Sequence, residues 1–218
     1  MRKLTELLLV VTLLVVPVLP NGCSITIRVH PFVYELPPPS PWVVPIDIGG
    51  NNVWHWAASS VLAVYSAGLI KGYPDGTFRP DATITVQEST VIAIRFLGLE
   101  QSLDPAATLP AGYKADAWAV PAVAKAASLG LLGPADTTKL ITRELAASIL
   151  GKSLGLQPNS DPLPFKDTAS IQSYRGMVGA MVKAKLMVGY PDNTFGPGGL
   201  LTRAEAAVLF VRVLNYKK

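Results

Sequence analysis

The sequence predicts a mainly α-helical fold made of three copies of one helix-turn-helix unit. Matching residues recur at three points along the chain, apolar residues inside the copies are spaced by three and four, and glycine or asparagine closes each copy. A chain of 218 residues that is 50% hydrophobic can bury a core without help from a metal or a disulfide.

Taken in order, the chain begins with Arg2 and Lys3 and an apolar stretch from Leu7 to Leu19. That stretch is shorter than the ~20 residues a bilayer-spanning helix requires, so residues 1–23 read as an export signal and are set aside from the fold. Leu19-Pro20-Asn21-Gly22-Cys23 is similar to a degenerate bacterial lipoprotein cleavage box, with Leu one place early and Pro where Leu belongs. Two outcomes stay open: Cys23 carries a lipid, or the protein is simply secreted and Cys23 lies in a discarded or disordered tail. As the single cysteine, Cys23 excludes an internal disulfide or a cysteine-rich zinc framework. Residues 24–45 contain Pro31, Pro37, Pro38, Pro39, Pro41 and Pro45, a density that predicts an extended, semi-rigid spacer, with one short strand at Ile25, Ile27 and Val29.

The copies are expected at residues 46–101, 102–157 and 158–218. Their helical openings carry Trp56-Ala57, Trp118-Ala119 and Tyr174; their second helices are preceded by Ile84-Thr85, Ile141-Thr142 and Leu201-Thr202. They close on Leu97-Gly98-Leu99, Leu154-Gly155-Leu156 and Leu214-Asn215-Tyr216, whose central Gly or Asn tolerates the left-handed end of a helix. In copy one, Trp54, Ala58, Val61, Leu62, Tyr65 and Leu69 form the stripe of an amphipathic first helix. Its partner, from Val86 to Leu97, is apolar almost all round, which predicts burial between neighbouring copies.

The turn between the helices is the most informative segment. Copy one has Gly72-Tyr73-Pro74-Asp75-Gly76-Thr77-Phe78-Arg79-Pro80, and copy three has Gly189-Tyr190-Pro191-Asp192-Asn193-Thr194-Phe195-Gly196-Pro197. Glycine is expected to stop the first helix, Pro to hold the Tyr extended, Asp-Gly or Asp-Asn to turn the chain, and Phe to anchor the turn in the core. With Thr202-Arg203-Ala204-Glu205 following the copy-three turn, this string resembles the S-layer homology (SLH) family. The resemblance implies three repeats packed as one pseudo-threefold helical prism. It also implies a non-catalytic module whose inter-repeat grooves bind an anionic secondary cell-wall polysaccharide, often one bearing pyruvate ketals.

Carried over residue by residue, the resemblance implies a first groove of Thr202, Arg203 and Glu205 with Gly189, Tyr190 and Asp192. A second would use Thr85, Glu88 and Arg79 with Gly72, Tyr73 and Asp75. Copy two keeps Thr142 and Arg143 but has Leu145 at the Glu position, and its turn shrinks to Gly133-Pro134-Ala135-Asp136, so it is expected to be the weakest groove or purely structural. Thr-x-x-Glu before an apolar helix is equally a capping box, which by itself explains Thr85, Glu88, Thr202 and Glu205. Capping does not call for Arg143 or Arg203, whereas an arginine beside the free amides of a helix start suits a carboxylate. Lys71 and Arg79 flank the copy-one turn and are candidates for the charge that Val86 lacks, or solvated surface residues.

Several function classes are disfavoured. Gly151-Lys152-Ser153-Leu154-Gly155 matches the G-x-S-x-G nucleophile pattern, but its context is a helix end rather than a strand-to-helix elbow. With His30 and His55 the only histidines, neither a histidine-based triad nor a histidine-rich metal site can be assembled, and no cofactor is expected. The net charge of +4 is mild and the basic residues are scattered, which argues against nucleic acid. The expected partner is therefore a secondary cell-wall polysaccharide or a peptidoglycan-linked polymer, bound by a secreted, monomeric protein at the cell wall or cell surface. A lipid-anchored tether between membrane and wall is the alternative, and a wall glycan hydrolase using Asp75, Glu88, Asp192 or Glu205 is the remote one.

Overall fold

The computed structural model describes residues 45–50, 53–134, 137 and 139–216. The expected export signal, the proline-rich spacer with its short strand, and Cys23 lie outside the described residues.

A short antiparallel strand pair, β1 (Gly49–Gly50) with β2 (Val53–Trp54), precedes six α-helices among the described residues, arranged as three pairs. They are α1 (Ala58–Ser66) with α2 (Val86–Phe96), α3 (Val120–Ser128) with α4 (Arg143–Ser153), and α5 (Arg175–Lys183) with α6 (Arg203–Leu214). Each second helix packs on the first helix of another pair: α2 on α3, α4 on α5, and α6 on α1, so the packing closes into a cycle. A triangle of backbone bonds repeats that cycle where the second helices begin. Ile84 N–H donates to Leu201 O (3.0 Å), Leu201 N–H to Ile141 O (3.2 Å), and Ile141 N–H to Ile84 O (3.1 Å). Ile84, Ile141 and Leu201 are buried around this junction, which is why an apolar residue precedes each threonine.

Each second helix starts at a threonine N-cap. Thr85 and Thr202 form complete capping boxes with Glu88 and Glu205, while Thr142 caps the Leu145 amide alone because leucine cannot reach back. Helix α2 buries Val86, Ile92, Ala93 and Ile94 against its neighbours, in line with its apolar character. Phe78 and Phe195 are fully buried, anchoring the two long turns.

Three local expectations are corrected. The first helices end well before Gly72 and Gly189: the left-handed residue after each is Gly68, Gly130 or Lys185, and Leu69 follows the helix rather than continuing its stripe. Gly72 and Gly189 answer to crowding instead. A Cβ on either would stand 2.8 Å from Thr77 O or 2.7 Å from Thr194 O, because the turn folds back onto itself there. Gly98 and Gly155 are left-handed after α2 and α4, but Asn215 has φ −86°, since α6 runs one residue further and Asn215 is its last helical-type residue.

Candidate functional site

The two long turns share one construction. Tyr73 N–H donates to Thr77 O and Tyr190 N–H to Thr194 O, while Asp75 and Asp192 each accept from the amide and the hydroxyl of the following threonine. The Thr77 hydroxyl, then the Arg79 guanidinium, hold the Asp75 carboxyl well below the usual aspartate range. Thr194 lowers Asp192 in the same way.

A second carboxylate fastens each turn to the body. Asp47 accepts from the Phe78 and Arg79 amides (2.7 and 2.6 Å), and Asp167 from the Phe195 and Gly196 amides (both 2.8 Å). Desolvation works against the Asp167 charge, yet these backbone donors outweigh it and its carboxyl lies below the ordinary range. Neither residue was among the expected site residues. The readable signal was an aspartate before the first helix of both copies that have the long turn.

The arginines of the repeat reach across copies. Arg203 opens α6, but its side chain lies against the copy-one turn: Nε donates to Phe78 O (2.7 Å) and Nη2 to Lys71 O (2.9 Å), with the guanidinium over the Tyr73 and Phe78 rings. Its Nη1 stands 3.6 Å from Glu88 Oε1, and the residue is only 4% exposed. Arg143 of copy two treats the copy-three turn alike, donating to Phe195 O and Val188 O and lying over Tyr190 and Phe195.

This overturns the expected grouping of Arg203 with the Gly189 turn. The arginine belongs to the turn of the neighbouring copy, so copy one, which has Val86 in that position, still receives a guanidinium. Val86 is buried instead, with its amide donating to Lys139 O, and the copy-two turn sequence from Gly133 to Lys139 offers no phenylalanine or tyrosine for an arginine to clamp. Arg79 stays beside two turn members of its expected group. It pairs with Asp75 at 2.8 Å, lies 3.8 Å over Tyr73, and adopts φ +58°. Glu88 uses one oxygen on its own N-cap, accepting from Thr85 N–H at 2.8 Å, and turns the other toward Arg203.

Around the Gly72 turn lies an open cleft of about 610 Å³, within the range of small-ligand sites. Gly72, Tyr73, Lys71, Glu88 and Arg203 line it together with Val91, Ile92 and Arg95 of α2. The rest of the wall is Glu100, Leu103 and Pro105 from the linker, then Trp118, Pro121 and Ala122 at the start of α3. Trp118, expected only to open a helix, is 57% exposed at this wall. Of the expected site residues, Gly72, Tyr73, Glu88 and Arg203 meet here; Thr85 supports Glu88 from the cap, and Asp75 and Arg79 stabilise the turn. At the copy-three turn, Tyr190 is brought to Arg143 rather than to Arg203. The Ser153 of the G-x-S-x-G match lies in α4 and donates its hydroxyl to Ile149 O, as helical serines do.

The S-layer homology domain model matches residues 50–85 and 164–207, the two copies with the long turn. These two copies belong to the S-layer homology family. The segment between the matches contains copy two, whose departures from the pattern are those just described. The chain is similar to cell surface glycoprotein 1 of Acetivibrio thermocellus, with 30% identity over 197 residues covering 83% of this chain and 8% of that protein. It is also similar to the surface-layer 125 kDa protein of Lysinibacillus sphaericus, at 28% identity over 76% of this chain and 14% of that protein. A third relative is the cellulosome-anchoring protein of Acetivibrio thermocellus, at 32% identity over 68% of this chain and 36% of that protein. The SLH chain thus spans only a minor part of these relatives' length.

Proposed function

We propose that this SLH protein attaches non-covalently at the bacterial cell surface by binding an anionic wall polysaccharide in the copy-one cleft. The observation that carries the reading is the pairing, in one open cleft, of a broad exposed indole with basic side chains. Trp118 offers a flat apolar face to a sugar ring, while Lys71, Arg95 and the edge of Arg203 supply positive charge to an acidic substituent. Backbone groups of the turn, and Glu88 Oε1 beside Arg203, are suited to sugar hydroxyls. The names of the relatives, a surface glycoprotein, a surface-layer protein and an anchoring protein, support attachment at a surface.

Binding without turnover fits the carboxylates. Asp75 and Asp192 hold their turns, and Glu88 and Glu205 accept from their own N-cap amides, so none stands free as a general acid. The test is sedimentation with purified wall sacculi before and after removal of the secondary polymer. Retention should be lost with the polymer, and equal retention on both preparations would defeat the proposal.

A further inference from the structure

We infer that the charge-holding subsite of this cleft is Lys71 with Arg95, and that Glu100 is an internal counter-ion which a carboxylate-bearing sugar displaces; this rests on the binding reading above. The starting point is that Arg203, the arginine of the repeat pattern, is committed elsewhere. Two of its donors hold Phe78 O and Lys71 O, and its side chain is 5% exposed. Its chief partners are the carbonyls of the turn.

Two further cations line the cleft. Arg95 lies in the cleft wall, donating Nη1 to Leu69 O at 3.2 Å and Nε to Glu100 Oε1 at 2.9 Å. Lys71 Nζ stands 4.0 Å from the same oxygen, with its side chain 65% exposed. One half-exposed carboxylate therefore answers two cations on the cleft wall, where an acidic ligand would place its own.

Comparison of the copies separates frame from function. The cation after each apolar stripe recurs as Arg95, Lys152 and Arg212, and each donates to a carbonyl just beyond the preceding helix, at Leu69, Gly130 and Leu186. That contact belongs to the repeat. The carboxylate does not: Gln157 and Lys217 stand where copy one has Glu100, and Gly133 and Val188 where it has Lys71. The three-charge cluster thus belongs to copy one and its cleft. The Lys71 contact with Glu100, exposed and 4.0 Å long, is weak, and the Arg95 pair with this half-exposed carboxylate is exchanged like for like when another carboxylate takes its place. The planar guanidinium of Arg95 then accepts the incoming acid on two N–H groups. A neutral sugar has no charge with which to displace Glu100, so the cluster discriminates for acid.

The experiment is calorimetric titration of the full chain and its variants with a pyruvylated wall polysaccharide, the same polymer after mild-acid depyruvylation, and an oligogalacturonide. The first two arms isolate the ketal carboxylate, and the third asks whether a uronic acid serves as well. Glu100→Gln is expected to bind acidic polymer about two- to fivefold more tightly than wild type, the exchange of one exposed ion pair, with no gain on depyruvylated polymer. Lys71→Ala is expected to bind more weakly. Asp104→Asn removes the same charge from the neighbouring linker without touching Arg95 and should bind as wild type does. If wild type binds acidic polymer but Glu100→Gln gains nothing, or Asp104→Asn gains equally, this inference falls while the binding reading stands. If neither wild type nor Glu100→Gln binds any of the three, both fall. Unchanged melting of Glu100→Gln confirms that the comparison is between folded proteins.

Discussion

The α2–α3 and α4–α5 junctions are built from the same repeat, yet one borders an open cleft and the other is tightly packed at its glycines. At the packed junction the small residues are decisive. A Cβ on Gly151 of α4 would meet Met177 Sδ at 3.0 Å, one on Gly176 of α5 would meet Pro158 at 2.9 Å, and one on Gly179 would collide with the Asn159 carbonyl. Helix α5 therefore sinks against α4 and the linker that follows it. The corresponding positions at the open junction are Ile94, Pro121 and Ala124, each of which carries a side chain where the other junction has glycine. Leu145 replaces the cap glutamate and Val86 replaces the arginine, and both are buried. Caps, turns and the central backbone triangle set the frame; side-chain size between the helices decides whether a copy presents a cleft.

Variants that disturb this contrast should have graded effects. The largest is Arg203→Ala, which strands Phe78 O and Lys71 O and removes a buried guanidinium from beside Glu88; we expect a loss on the order of 3 kcal/mol by denaturant unfolding. Arg143→Ala makes the like contacts at a more exposed site and should cost less. Next is Gly179→Ala, which drives a methyl group into backbone at the packed junction and should cost about 1–3 kcal/mol, whereas Ala124→Gly at the open junction should cost no more than about 1 kcal/mol. If Gly179→Ala is neutral, the junction is not closed by close approach.

Acid should act through the turn anchors. Asp167 has its carboxyl lowered in the fold, so its contribution is present above the ordinary aspartate range near ~4 and is lost as pH falls through the lower folded value. Asp167→Asn should flatten the acid limb of a pH–melting curve; an unchanged limb would contradict the anchor. The smallest stability effect is expected for Trp118→Ala, within about 0.5 kcal/mol, together with the clearest loss of polysaccharide binding.

Much of this frame was legible in the chain. Thr85 and Thr202 announced their capping boxes by the glutamate three residues on, Phe78 and Phe195 their burial, and the apolar run from Val86 its position between copies. The site was less legible because its groups come from different copies. Nothing local to Arg203 says that it reaches the Gly72 turn, since that follows from the order in which the pairs close into a cycle. Trp118 read as the start of a helix because periodicity reports which face a residue occupies, not whether a neighbour leaves that face uncovered. Asn215 misled for a simpler reason: α6 continues one residue further than its counterparts.

The most direct measurement is a chemical-shift map of isotope-labelled protein titrated with purified acidic wall polysaccharide. The account predicts shifts concentrated on Lys71, Tyr73, Glu88, Arg95 and the Trp118 indole, with the α4–α5 junction silent. Shifts centred on residues 173–181, or none near Trp118, would contradict it.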